Sequence, residues 1–426
     1  MNIKRAARRY RPLSLLVVLG AVVSAAGVGA RAGEQWPRFR GPSGQGVTSD
    51  TRLPLTWDVG SGIRWQADIP GDGWSSPIVW EDTVFLTTAT EGGASARVLA
   101  FDRRTGAMRW NTEVFHQELR RKEAKNSYAT PTPTTDGRRV YAGFSDGSFA
   151  ALNYDGTIAW VNRELSFYGQ HGLGTSLVPH EDLLIMARDG SSSGPDLKVG
   201  WQIPWTESFI VALERATGRV RWRAARGSSR IAHATPFIAR VRGRLVLLSP
   251  AGDVIQAFDP GSGKKLWSVE SHGEGVVPSP VLAGPVVVTA SGFGRPAIRA
   301  VSLDPEPQVA WEQAKGVPMQ ASPVYVKPYV YVVTDGGVLS ALHESSGAIG
   351  WQQRINGTFS ASPLAAADRI YWLNEECETL VIRPGPAFVE LARNQLPGRC
   401  QASMAVASGD LFIRTDRRLY AIRAQP

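Results

Sequence analysis

The sequence predicts an all-β fold, a closed eight-bladed β-propeller of four-stranded antiparallel blades. Three observations carry the prediction. A cassette ending in tryptophan repeats along the chain, eight apolar runs each follow a small-residue signal, and one strand near the N-terminus has no hairpin partner.

The cassette reads AFDRRTGAMRW (100–110), AALNYDGTIAW (150–160), VALERATGRVRW (211–222), QAFDPGSGKKLW (256–267) and SALHESSGAIGW (340–351), with a degenerate copy RAVSLDPEPQVAW at 299–311. Five steps from Trp110 to Trp351 cover 241 residues, about 48 per step, the range of propeller blades rather than of shorter helical repeats. Alternating small and apolar residues suit a half-buried strand. The D-x-x-T-G segment then supplies a turn in which Gly106 or Gly218 adopts positive φ before the chain returns. The tryptophan that follows is large enough to cover the joint between units, and its indole N–H needs a partner. Because it recurs in differing surroundings, it reads as mortar between repeats: Trp110, Trp160, Trp222, Trp267, Trp311 and Trp351, joined by Trp65 on the N-terminal strand.

The second strand of each unit falls at 83–90, 139–145, 183–189, 244–250, 285–291, 329–335, 369–375 and 410–416, which makes eight. Ahead of them lie SSP (75–77), ATP (129–131), TSL (175–177), ATP (234–236), PSP (278–280), ASP (321–323), ASP (361–363) and ASM (402–404). Small residues fit where innermost strands converge on a crowded axis. The eighth unit stops one strand short at Leu419–Ile422, and residues 62–69 read as the strand it lacks. Pairing the two closes the ring and removes two open sheet edges. An open solenoid would leave that strand unexplained; a seven-bladed ring with one degenerate unit discarded is the alternative.

Residues 1–32 carry Lys4, Arg5, Arg8, Arg9 and Arg11, an apolar run from Leu13 to Val23, and Ala30-Arg31-Ala32, the pattern of a secretory signal cut before Gly33. The segment holds six basic and no acidic residues, so the formal +9 of the whole chain becomes +3 after cleavage. That balance does not call for nucleic acid. The expected product is an exported protein, periplasmic or extracellular, monomeric and without a membrane span. Residues 33–62 are dense in Gly, Pro and Ser yet hold Trp36, Phe39 and Trp57, so they read as an irregular arm pinned to something apolar, with the propeller over 63–426. Cys377 and Cys400 are 23 residues apart; in an oxidising compartment a disulfide and two free thiols are both open. The six histidines show no metal-ligand spacing. No catalytic residue can be assigned: there is no G-x-S-x-G elbow, Gly292-Phe-Gly294 lacks the rest of a dinucleotide signature, and Glu375, Glu376 and Glu378 read as solvated acids near a turn. The 62-residue third step owes its length to residues 188–207, where Asp196, Trp201 and Trp205 suit a lid or partner patch, or packing on the next blade. The stretch HQELRRKEAK (116–125) reads as a short exposed helix or loop.

The cassettes resemble the tryptophan-docking motif of the quinoprotein-type (PQQ-like) propeller repeat superfamily, which includes quinoprotein alcohol dehydrogenases and the outer-membrane assembly factor BamB. WPRFRGPSGQGV (36–47), GDGWSSPIV (71–79), NSYATPTPTTDGRRVYAGF (126–144) and RCQASMAVASGDLFIRTDRRLYAI (399–422) are similar to exported bacterial BamB-like repeat proteins. The resemblance implies a fold more than an activity. It implies a non-catalytic scaffold that binds a protein partner or a small ligand. The alternative it leaves is an oxidoreductase with PQQ and calcium in the funnel, whose clamp of adjacent cysteines this chain lacks. It also implies that the loops leading into the first strands share one face, which would gather Trp74, Tyr128, His171, His233, Gln320, Phe359 and Arg399 as candidate ligand-binding residues.

Overall fold

The computed structural model describes residues 35–303 and 306–424; the signal segment expected over 1–32 lies outside them. Eight sheets form the blades. Blade 1 is typical: Ile78–Trp80 innermost, then Thr83–Thr90, Ser95–Asp102 and Met108–His116 outermost, each antiparallel to its neighbour. The strand Ile63–Asp68 pairs antiparallel with Arg418–Arg423, with Trp65 opposite Ala421, and completes blade 8 as its outermost strand. The N-terminal strand therefore closes the ring, as its lack of a hairpin partner predicts.

Every outermost strand carries a β-bulge at the same point of its blade, for example between Ile158 and Trp160 or opposite the Ala100–Phe101 step, and that of blade 1 has a second opposite Ala96–Arg97. A bulge re-aims the residues beside it. The tryptophans follow these bulges and reach the next blade. Trp65 Nε1 donates to Arg103 O at 2.8 Å, Trp110 to Tyr154 O at 2.8 Å, Trp160 to Arg215 O at 2.9 Å, Trp311 to Glu344 O at 2.8 Å and Trp351 to Gly385 O at 2.9 Å. Trp222 makes the same crossing without an acceptor, and Trp267 packs against the cluster that joins blade 4 to Val287, Val301 and Leu303 of blade 5. The turn glycine serves two needs at once. Gly106 has φ 76°, and a Cβ there would lie 2.5 Å from the Trp65 ring; Gly218 has φ 73° and faces Trp160 in the same way.

The small-residue signals build a belt. Ser76 N–H donates to Thr132 Oγ1 at 2.9 Å, Thr132 N–H to Ser176 Oγ at 3.0 Å, and the series runs on through Thr235, Ser279, Ser322, Ser362 and Ser403 back to Ser76 Oγ at 3.1 Å. Each buried backbone N–H that the axis hides from water is met by the next blade's hydroxyl. In blade 2 the belt residue is Thr132, two positions beyond the Thr130 of the ATP triplet expected there.

The arm crosses the axis. Trp36 pairs with Val79 of blade 1, Pro37 O accepts from Thr135 N of blade 2, Gly44 lies against Phe237 of blade 4 and Gln45 Oε1 accepts from Leu282 N of blade 5. Arg40 donates to Pro323 O of blade 6, and Val47–Thr48 pairs in parallel with Ala365–Ala366 of blade 7. Since these partners belong to or adjoin innermost strands of six blades, the arm plugs the central channel. It then runs outward beneath blade 7, where the Trp57 ring stacks on Tyr371 at 6.4 Å and the Trp57 backbone N–H donates to Asn394 Oδ1 at 2.7 Å.

Candidate functional site

The loops leading into the first strands and the turns between second and third strands meet at the end of the channel opposite the arm. At this mouth the side chains form a chain of polar contacts centred on Glu375. Lys125 Nζ lies 2.8 Å from Glu375 Oε1, which also accepts from Ser360 Oγ; Arg399 Nη2 lies 3.2 Å from Oε2 and Gln401 Nε2 3.4 Å. Ser360 Oγ is also 2.8 Å from Gln320 Oε1, and Gln320 Nε2 is 3.0 Å from Asp335 Oδ2. The Arg399 guanidinium lies over the Trp74 ring, 5.9 Å from its centroid. Burial pushes the Glu375 carboxyl up, but Lys125, Ser360 and Arg399 outweigh it and hold the group below its usual range. Asp335 goes the other way, raised by burial.

Lys125 belongs to the HQELRRKEAK stretch, which is a strap rather than a helix. Gln117 Nε2 donates to Gly93 O, Glu123 N–H to His171 O and Asn126 Nδ2 to the same carbonyl at 2.8 Å, so the segment is tied down along its length before Lys125 reaches blade 7. Tyr128 serves the strap: its hydroxyl donates to Arg120 O at 3.0 Å, and Lys122 sits 5.3 Å from its ring centroid.

A second cluster stands beside the mouth. Trp201 meets His171 edge-on at 5.5 Å, and His171 lies 6.2 Å from His233. His233 as a residue is half-buried, but its Nδ1 is buried with no partner, and burial pushes the imidazole down to about 3. The loop of Trp201 is fastened on both sides: Ser191 N–H donates to Tyr168 O at 3.0 Å, Ile231 N–H to Gly200 O at 2.6 Å and Trp205 N–H to Ser229 O at 2.8 Å. Asp196 is exposed and accepts from its own Lys198 N–H. At the foot of the loop is an open recess of about 360 Å³ lined by Thr206–Phe209, Arg223 and Ala225, with the Arg223 guanidinium 3.4 Å over the Phe209 ring.

Of the seven candidate residues, Trp74, Gln320 and Arg399 thus share one network, His171 and His233 share another, and Tyr128 supports the strap. Phe359 is withdrawn into the core between blades 6 and 7, only 2% exposed, and its side chain does not face the mouth. Lys125, Ser360, Asp335 and Glu375 were not among the candidates. Glu375 is not the solvated turn acid its neighbours suggest, and no local signal pairs it with a lysine 250 positions away.

The profile of the family described as outer membrane protein assembly factor BamB matches residues 58–251 and 298–425. The chain belongs to this family. A curated BamB-family relative, the outer membrane protein assembly factor BamB of Moranella endobia, is 24% identical over 253 residues, 55% of this chain and 59% of the relative. The chain thus aligns with less than two thirds of that relative's length. Among solved structures, BamB from Moraxella catarrhalis superposes with a TM-score of 0.59 at 13% identity, covering 85% of this chain and 99% of that one. Quinohemoprotein alcohol dehydrogenase from Comamonas testosteroni gives 0.67 at 10% identity, covering 92% and 81%. At these identities the likeness is one of fold.

The residues at the mouth do not fit PQQ and calcium. Cys377 and Cys400 form a disulfide with Cα atoms 5.1 Å apart, but both are fully buried at the joint of blades 7 and 8, not presented to the funnel. Both oxygens of Glu375 are already engaged by Lys125, Arg399 and neighbouring polar groups, which leaves the carboxylate little to offer a hard cation. Among the described residues no group of three His, Cys, Asp or Glu side chains is placed to hold a metal ion, and no helix is long and apolar enough to cross a membrane.

Proposed function

We propose that this BamB-family chain is an exported, non-catalytic scaffold that holds a protein partner against the loops at its mouth, in the assembly of outer-membrane proteins. The observation that carries the reading is the 188–207 loop. It is pinned to both flanking connections, yet it leaves Leu197 41% and Ile203 45% exposed beside the half-buried Trp201 and Trp205. A rigid loop that displays apolar side chains suits recognition of a protein surface, since little order has to be gained on binding. Leu119 on the strap is half exposed as well.

The test places a photo-crosslinking residue at 197 or 203 in cells, with Val309 and Val389 on outermost strands as exposed controls. The expected outcome is one dominant adduct with a component of outer-membrane assembly from both loop positions and from neither control. Equal labelling from all four positions, or none, would end the reading. Titration of the purified protein with PQQ and calcium is expected to leave its melting temperature unchanged; a saturable rise would favour the quinone-dependent alternative.

A further inference from the structure

The plug in the central channel carries two arginines, Arg38 and Arg40. Arg40 is 2% exposed and Arg38 9%. Elsewhere the ring gives a buried guanidinium more complete company. Arg226 has Asp189 against Nε and Nη2, and Arg188 has two carbonyls and lies over the faces of Phe149 and Phe167. Arg414 has Ser75 O, Ser75 Oγ and Thr87 O on Nη1. Arg188 leaves only Nε without an acceptor, whereas Arg40 leaves both Nε and Nη1, its Nη2 alone being met by Gln45 O and Pro323 O. Arg38 donates only to Pro42 O. Neither arginine has a carboxylate partner among the described residues, and burial alone pushes Arg40 down to about 9 and Arg38 to about 10, so both remain cations at neutral pH.

Two buried cations, two positions apart, are therefore placed on the axis without a counter-charge. Burying a charge without a partner is strongly unfavourable, and a guanidinium with free buried N–H groups adds the loss of unmade hydrogen bonds. A water molecule could accept from the free nitrogens but would leave the charge uncompensated. We propose that the channel binds a small inorganic anion on the free Nη1 of Arg40, with Arg38 adding its field, so that the anion helps to hold the arm in the ring. The site is distinct from the mouth, which lies at the other end of the channel, and it does not depend on what the mouth binds.

The experiment uses the mature protein, unfolded and refolded in sodium gluconate to strip carried anions. Gluconate is then replaced at constant ionic strength by chloride and, separately, by phosphate, and thermal unfolding is followed. Binding to the native state lowers the apparent unfolding constant by the factor 1 + [L]/Kd, about a hundredfold at one hundred times Kd. A saturable effect of either anion that disappears in Arg40→Met is the expected result. Should Arg40→Met fail to fold, crystals of the wild-type protein soaked in bromide decide the matter. An anomalous peak in contact with Arg40 upholds the site, and density at Arg40 without anomalous signal shows water and overturns it. Equal stability of the wild type in all three anions overturns it as well.

Discussion

Seven joints of the ring and the eighth are built differently. From blade 8 round to blade 7, each joint takes a tryptophan from one blade and seats it on or against the next, usually over a turn glycine. At the joint of blades 7 and 8 the bulge is present, but the residue opposite Val381 is Ala392. There the arm supplies Trp57 and Leu53, Tyr371 donates to Pro54 O at 3.0 Å, Asn394 brackets Trp57, and the Cys377–Cys400 disulfide ties the two sides together. Where the repeat supplies an indole, one residue closes the joint. Where it does not, two features outside the repeat take over.

The largest way to break this contrast is to remove the arm. A chain beginning at residue 58 loses Trp36, Leu53 and Trp57 from the core that spans blades 7, 8 and 1. Truncation of a large buried aromatic costs about 3–5 kcal/mol each, so this chain is expected to lose cooperative unfolding by near-ultraviolet circular dichroism. A melting curve close to that of the intact protein would show that the arm is an ornament on a ring already complete.

Next in size are single joints. Trp110→Ala is expected to cost about 3–5 kcal/mol, and removing the disulfide as Cys377→Ser with Cys400→Ser about 3 kcal/mol for a loop of this length. Their combination sharpens the comparison. Trp110 and the disulfide sit in different clusters, so their effects should add, whereas Trp57→Ala and the disulfide share one cluster and should couple by about 0.5–3 kcal/mol. Denaturant titration of both double-mutant cycles checks this; coupling in the first cycle, or none in the second, would refute the joint-by-joint picture.

The belt offers a control that ignores the contrast. Ser279→Ala leaves Thr235 N–H without its acceptor and Ser362→Ala leaves Ser322 N–H without one. Each is expected to cost about 1–3 kcal/mol, equally at the ordinary and the exceptional side of the ring.

These differences also explain what could be read from the chain itself. Local periodicity, turn chemistry and the count of second strands carried the blades and the closing strand, because each rests on residues close in sequence. The belt is visible in the sequence only as small size, since volume does not reveal the hydroxyl that meets the neighbour's N–H; in blade 2, ATPTP offers two registers and the structure uses the farther one. Trp36 and Trp57 of the arm are buried in the core shared by blades 7, 8 and 1. That the arm crosses the ring's own axis depends on contacts with six blades that no window contains. At the mouth the same limit held. Trp74, Gln320 and Arg399 lie on loops leading into first strands, which the resemblance places on one face, but Glu375 lies on a turn between strands and gains its contacts from Lys125, Ser360 and Arg399.

The smallest expected effect belongs to that carboxylate, which stands directly above the exceptional joint, where Cys400 N–H donates to Glu375 O at 3.0 Å. The folded protein holds Glu375 below its ordinary value of 4.5. A depressed carboxyl contributes stability that is fully present above that ordinary value and is lost as pH falls through the folded one. Glu375→Gln should therefore cost about 1 kcal/mol at neutral pH, because Lys125 and Arg399 are 40% and 50% exposed and can turn to water when the charge is gone. The deficit should shrink below pH 4.5, where the wild type protonates the same group. Guanidinium titrations of the two proteins from pH 7 to pH 3 measure it. A deficit that stays constant into acid would mean that Glu375 acts through shape and hydrogen bonding alone, and that the strap is held across the mouth by something other than its charge.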